Sequence, residues 1–264
     1  MAEPLSVVVT TLDNAATLAQ CLGSVAGLAS EIVVLDSGSR DDTEAIARAH
    51  GARFVVEPFK GYGAQKASAI AHAAHDWVLL LDADEALDEA SRAAIRAVLE
   101  APAFRAYTLP RREQLFWTWQ HVHAKHNAML RLFDRRCVRF GTSAIHAAPE
   151  TDVPVGRIDA PFLHHGEPDI ATKVAKINHY SSGLVEEKLA QGYRWLRLRM
   201  VLQPPWQFAK NYVFKRRFLS GTAGFIASVT EAYYVFLKYA KVHEAQRRHG
   251  DASRKAAARP RDDA

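Results

Sequence analysis

Four short, largely apolar runs lie within the first 82 residues, and each gives way to a polar turn: Leu5–Val9, Ile32–Leu35, Arg53–Val56 and Trp77–Leu81. All four read as strands, and Leu5–Val9 and Trp77–Leu81 as strands buried on both faces. What separates them is helical in pattern. Leu18, Leu22 and Val25 form a stripe behind the Asp13-Asn14 turn, and Asp41 with Glu44 reads as the cap of a second helix that Gly51 ends. Gly61-Tyr62-Gly63 opens a third helix over roughly residues 64–74. Connections of that length make the strands parallel, and right-handed crossovers bring their ends to one edge of one sheet. The predicted fold class is α/β, with Thr10, Asp36 and Asp82 facing one crevice.

Asp82 and Asp84 sit directly behind the fourth run, so two carboxylates emerge where open α/β sheets bind ligands. Carboxylate oxygens suit Mg²⁺ or Mn²⁺, which are commonly held by one or two carboxylates together with substrate phosphates. A hard cation and a diphosphate fit such an edge. Taken singly, Asp36 and Asp41 read equally as turn and cap residues, and Lys66 as an exposed lysine.

Ser6-Val-Val-Val-Thr10, Glu31-Ile-Val-Val-Leu-Asp36-Ser-Gly-Ser39, Gly61-Tyr-Gly-Ala-Gln65-Lys66 and Trp77-Val-Leu-Leu-Leu-Asp82-Ala-Asp84-Glu85 follow one another in a set order and spacing. Together they resemble the family 2 glycosyltransferases of the GT-A fold, and more narrowly the lipopolysaccharide core β-1,4-glucosyltransferase branch. Leu130-Arg131-Leu-Phe133, Ile145-His146 and the carboxyl-terminal part extend the resemblance over nearly the whole chain. It implies a GT-A (Rossmann-like) nucleotide-sugar-binding domain with a helical, basic-aromatic appendage. Thr10 and Asp36 would contact the base and ribose of a UDP-sugar, Asp82 would lie near the ribose and phosphates, and Asp84 would ligate the metal. Lys66 and Arg131 would meet the diphosphate.

Inverting transfer needs a carboxylate base for the acceptor hydroxyl and a Lewis acid for the leaving diphosphate. In the resembled branch a Glu directly follows the histidine, whereas here the stretch runs His146-Ala147-Ala148-Pro149-Glu150. Glu150 is the candidate base, with Glu85 and Asp152 as alternatives, and a solvated loop Glu150 is the competing reading. Ala67 likewise stands where the family commonly has Asn.

Trp117, Trp119 and His146 are candidate acceptor-binding residues, since sugar faces pack on indole rings; both tryptophans could also fold under as local core. His121, His123 and His126 invite a zinc reading, but no cysteine or carboxylate completes a set of four ligands. They fit an acceptor loop better. Cys21 and Cys137 lie far apart in no metal or redox spacing, which points to a reduced cytoplasmic compartment, and the first strand leaves no room for a signal peptide.

Charge divides unevenly. Residues 1–187 hold 18 Lys and Arg against 24 Asp and Glu, whereas residues 188–264 hold 16 against 5. No acidic residue occurs from Lys188 to Thr230, where Arg197, Lys210, Lys215, Arg216 and Arg217 alternate with Trp206, Phe208, Tyr212, Phe214 and Phe218. A basic, aromatic stretch of this kind reads as a segment for an anionic membrane surface. Nucleic acid is the rival partner, and the acidic first part and the sugar-transfer motifs argue against it. Phe218 to Leu237 carries only Glu231 as a charge, yet Phe218, Phe225, Val229, Tyr233, Phe236 and Ala240 share one helical face. That pattern predicts an amphipathic helix rather than a span.

Gln191-Gly-Tyr-Arg194-Trp195 matches the Q-x-x-R-W string of processive synthases, which thread their product through several spans that this chain lacks. The expected organisation is a catalytic domain over residues 1–165, a helical membrane-surface and acceptor region over 166–250, and a disordered tail over 251–264. The expected activity is transfer of one sugar, glucose from UDP-glucose, to a lipid-linked saccharide by a peripheral enzyme of the inner face of the cytoplasmic membrane. A polysaccharide-extending transferase and a catalytically silent nucleotide-sugar binder are the alternatives.

Overall fold

Strands β1 (Leu5–Thr11), β2 (Glu31–Asp36), β3 (Arg53–Val56) and β4 (Trp77–Asp82) alternate with helices α1 (Ala15–Ser24), α2 (Thr43–Ala49) and α3 (Tyr62–Ala71) in the computed structural model, which describes residues 2–140, 148–192 and 195–257, with side chains to residue 248. The four strands pair in parallel in the order β3-β2-β1-β4. Their continuous apolar character has a simple cause. Val7, Val9, Val34, Leu79 and Leu81 enter one core, while Val8, Val33, Leu35, Val78 and Leu80 enter another on the opposite face.

β5 (Glu85–Leu87), α4 (Glu89–Glu100), β6 (Ala106–Leu115), β7 (Thr118–Trp119), β8 (Asn127–Asp134), β9 (Arg139–Phe140), β10 (Pro149–Glu150), β11 (Val155–Arg157) and β12 (Phe162–His164) follow. β8 joins β4 antiparallel, and the sheet continues through β6 and β12 to β5, so a parallel half passes into a mixed half. β9 and β10 form a separate antiparallel pair. The α/β fold expected from the sequence is present, with helices towards the carboxyl terminus.

Two expectations shift. Helix α3 occupies Tyr62–Ala71 rather than residues 64–74. Asp41 does not cap α2: it accepts from the amide and hydroxyl of Thr43 (3.1 and 2.5 Å) and from the Ala15 amide at 2.9 Å, because the helix begins only at Thr43.

The chain divides into two compact units, Met1–Glu113 with His126–Gly166, and Gln114–Lys125 with Glu167–Ala264. The second contains α5 (Ile170–Gly183), α6 (Val185–Ala190), α7 (Leu196–Ala209), a π turn at Lys210–Phe214, a 3-10 turn at Arg217–Ser220 and α8 (Gly221–Ala257). Its cores are small: Leu115 and Phe116 on Ala223, Ile226 and Ala227, and Leu196 on Tyr239 and Val242. Pro204 and Pro205 inside α7 remove two backbone donors, and the widened π turn begins five residues later. No described helix is long and apolar enough to cross a membrane.

Candidate active site

Register decides which side chains meet. Thr10 lies level with Asp82 and Thr11 with Asp36, so the ends of β1, β2 and β4 share one edge. Asp36 is buried there and accepts from the amides of Gly38 (2.8 Å) and Ser39 (2.7 Å) and from the Ser39 hydroxyl. The turn requires φ of 101° at Gly38, a conformation open to glycine without steric cost. Asp13 accepts from the Arg40 amide at 2.8 Å, which with the Asp41 bond to Ala15 knits the loops behind β1 and β2 into one rim. Thr10 is half-buried beside it.

Behind β4 the charges close into a network. Lys66 on α3 meets Asp82 at 2.5 Å, Arg131 on β8 meets the other Asp82 oxygen at 3.1 Å, and Arg131 meets Glu85 at 2.5 Å. Glu85 also accepts from the Asp82 amide at 3.0 Å. Glu85 and Arg131 are buried, so each depends on the other for compensation of its charge. Burial pushes the Asp82 carboxyl up, but the Arg131 and Lys66 charges outweigh it and hold the group well below the usual carboxylate range. At Glu85 burial prevails, and the carboxyl stands above its ordinary value. Lys66 is therefore no solvated surface lysine. Two cations against two carboxylates leave this cluster without net charge.

Asp84 stands apart from that network. Its Oδ2 lies 3.4 Å from Nε2 of His164 on β12, and its carbonyl accepts from the His165 amide at 2.8 Å. Strand β12 sets His164 level with Glu85 on one side and Glu113 on the other. Nδ1 of His164 is buried without a hydrogen-bond partner. Among the described residues no group of three or more His, Cys, Asp and Glu side chains is placed to enclose an ion. A carboxylate oxygen and an imidazole nitrogen at this spacing fit a divalent cation that keeps its remaining positions for phosphate oxygens and water. His164 was not a sequence candidate. Its signal is of the same kind as that of Asp82, an apolar run ending in a metal-capable side chain, but Phe162-Leu163 is too short to mark a strand.

The other candidates are more dispersed. Glu150 is exposed on β10, with Arg139 Nε 3.9 Å away, and Asp152 is held by the same arginine, one bond measuring 3.0 Å. In the second unit Trp117 is 64% exposed, Trp119 is half-buried on β7, and the His123 amide donates to His121 Nδ1 at 3.2 Å. Trp117 is thus not core. His146, Ala147 and Arg194 lie outside the described residues.

The sequence of residues 6–149 matches the family model described as Glycosyl transferase family 2. The chain belongs to that family. It is a glycosyltransferase, and the two relatives that follow align along nearly their full length. The lipopolysaccharide core biosynthesis glycosyltransferase LpsC of Rhizobium meliloti is 32% identical over 252 residues, covering 91% of this chain and 92% of the relative. An uncharacterized glycosyltransferase of Rickettsia felis is 28% identical over 259 residues, covering 92% and 90%. Among solved structures, S. aureus TarS is similar with TM-score 0.48 and 13% identity, over 90% of this chain and 91% of that one. Glucosyl-3-phosphoglycerate synthase of Mycobacterium tuberculosis, solved with Mn²⁺, uridine diphosphate and glucosyl-3-phosphoglycerate, is similar with TM-score 0.44 and 18% identity, over 69% and 79%.

Proposed function

We propose that this family 2 glycosyltransferase transfers one sugar, glucose from UDP-glucose, with inversion and with Mg²⁺ or Mn²⁺, to a lipid-linked saccharide of the lipopolysaccharide inner core at the cytoplasmic face of the membrane. The observation that carries the chemistry is the Asp84–His164 pair beside a cluster whose own charges cancel. Asp84 and His164 would hold the ion, which supplies Lewis-acid stabilisation of the departing diphosphate. The 32% identity with LpsC supports the lipopolysaccharide acceptor.

The residues of the chain then take distinct tasks. Asp36 shapes the rim for base and ribose, with Thr10 beside it. Asp82 is committed to Lys66 and Arg131, so its part is to hold two cations next to the phosphates. Lys66, tied to Asp82 alone among these carboxylates, is the cation placed to turn towards a phosphate oxygen, whereas Arg131 is also anchored by Glu85. Glu150 is the proposed base: it takes the proton of the acceptor hydroxyl as that oxygen attacks the anomeric carbon and the bond to the diphosphate breaks. Trp117 offers an exposed ring to an acceptor sugar.

Calorimetric titration with UDP and Mn²⁺ tests the central assignment. Asp84→Ala is expected to abolish metal-dependent UDP binding and transfer, and His164→Ala to weaken metal-dependent binding ~10- to 100-fold, with the far-UV spectrum unchanged in both. Wild-type affinity in Asp84→Ala would overturn the metal assignment.

A further inference from the structure

The turn that joins α7 to α8 buries Arg217 against Glu231 and carries apolar side chains on its outside. Glu231 on α8 accepts from Nδ2 of the Asn211 side chain at 2.6 Å and from the Arg217 guanidinium at 2.7 Å, and both donor residues are buried. The turn is fixed from other directions as well. Arg216 holds φ of 54° and Gly221 φ of 59°, and a Cβ built on Gly224 would come within 2.0 Å of the Arg217 carbonyl oxygen, so the 3-10 turn lies directly on the α8 backbone. In the same unit, the Lys125 amide donates to the Lys215 carbonyl at 3.0 Å and the His121 amide to the Ser220 hydroxyl at 3.0 Å.

What this clamp displays is apolar. Val213, Phe214 and Phe218 are 53%, 62% and 46% exposed at its apex, and Trp206, its ring 5.8 Å from that of Phe214, is 57% exposed. A fixed, outward apolar cluster of this kind marks an interaction surface. Lys210 and Arg216 flank it in solvent, and no acidic residue lies between Lys188 and Thr230.

We infer that this turn is a preformed wedge that inserts Val213, Phe214 and Phe218 into the acyl boundary of a bilayer whose anionic headgroups meet Lys210 and Arg216. The membrane as partner rests on the lipid-linked acceptor proposed above. Insertion by a rigid wedge adds an element that charge alone does not provide: part of the binding survives salt. Headgroup attraction is screened as ionic strength rises, whereas burial of apolar surface is not. Arg217, by contrast, belongs to the clamp and offers no charge to a lipid.

Sedimentation of the full-length protein with vesicles of phosphatidylcholine and phosphatidylglycerol, at low and high salt, separates the two parts. Lys210→Glu with Arg216→Glu is expected to lower low-salt binding ~10-fold and leave the high-salt remainder in place. Phe214→Asp, with Phe214→Ser as the milder variant, is expected to remove the high-salt remainder by at least ~10-fold. Brominated acyl chains should quench emission of the wild-type protein and lose that quenching in Trp206→Phe. Wild-type vesicle binding in both Phe214 variants, or emission unquenched by brominated chains, would overturn the wedge. So would a concentration-dependent dimer that Phe214→Asp dissolves, since the face would then belong to a second copy. UDP binding measured without vesicles keeps the two proposals distinguishable, because the Phe214 variants should retain it and Asp84→Ala should lose it.

Discussion

In the strand-built unit, Arg131 and Glu85 are buried under the end of β4, and the large apolar side chains around them are buried too. In the helical unit, Arg217 is just as buried against Glu231, yet the helices around it turn Leu202, Trp206, Phe214, Phe225 and Phe236 outwards. The same kind of ion pair therefore serves two ends. In the first it fixes the Arg131 guanidinium beside Asp82, at the strand end where phosphates are proposed to sit. In the second it holds a turn whose outer surface water solvates poorly. A buried pair specifies geometry at a cost in desolvation, and each unit applies that geometry to a different neighbour.

The largest effect expected from breaking this comparison is at Arg131. Arg131→Met leaves Glu85 buried without a cation and should cost about 3–5 kcal/mol in urea unfolding, part of which Glu85→Gln in the same background recovers. Arg217→Met should cost less, about 1–2 kcal/mol, because the Glu231 side chain is 29% exposed and keeps its bond to Asn211. Equal losses would erase the distinction drawn between the pairs.

A middle-sized effect depends on pH. Burial pushes the Glu167 carboxyl up, but Lys173 at 3.1 Å and Lys176 at 3.0 Å outweigh it and bring it down to about 2. A depressed carboxyl contributes stability that is fully present above its unfolded value of about 4.3 and is lost as pH falls towards the folded value. Glu167→Gln should thus be less stable than wild type by ~1–3 kcal/mol at pH 7, and the gap should close between about pH 4.5 and pH 2. Thermal unfolding followed by circular dichroism measures it, and a gap independent of pH would remove the ion pair as its cause.

The smallest effect sharpens the contrast from the other side. Val229 and Phe236 are each 42% exposed on α8, so Val229→Ser and Phe236→Ser should each change stability by less than ~0.5 kcal/mol. Losses above ~2 kcal/mol would mean that this face is covered.

Strands β1, β2 and β4 were legible because burial on both faces leaves a short apolar run closed by a polar turn, whereas the edge strand β3, with Val56 61% exposed, was legible from its place in the alternation. The same logic placed Asp36 and Asp82 at one edge. The exposed stripe through Phe225, Val229, Tyr233 and Phe236 was legible for the analogous reason, its period matching a helix. Long-range pairing was not. Arg131 reaches Glu85 only because β8 lies antiparallel beside β4, and His164 reaches Asp84 only because β12 enters between β5 and β6; no local pattern encodes either neighbour. Arg217 reads in sequence as one more basic residue of a surface patch, and only its burial against Glu231 separates it from Lys210 and Arg216.

The position of β12 also sets an order in time. β5 and β6 leave the ribosome before Phe162–His164, and until that strand arrives β5 has no strand partner, Arg111–Glu113 of β6 lacks one of its neighbours, and Asp84 has no imidazole opposite it. The residues that match the family model end at 149, so a nascent chain carries the complete family signature before it can bring His164 to Asp84. During that interval the unpaired backbone of β5 and of Arg111–Glu113 is a template for foreign strands. Formation of the Asp84–His164 pair and the joining of β5 to β6 are thus one event, and they fall to three residues made after the signature is finished.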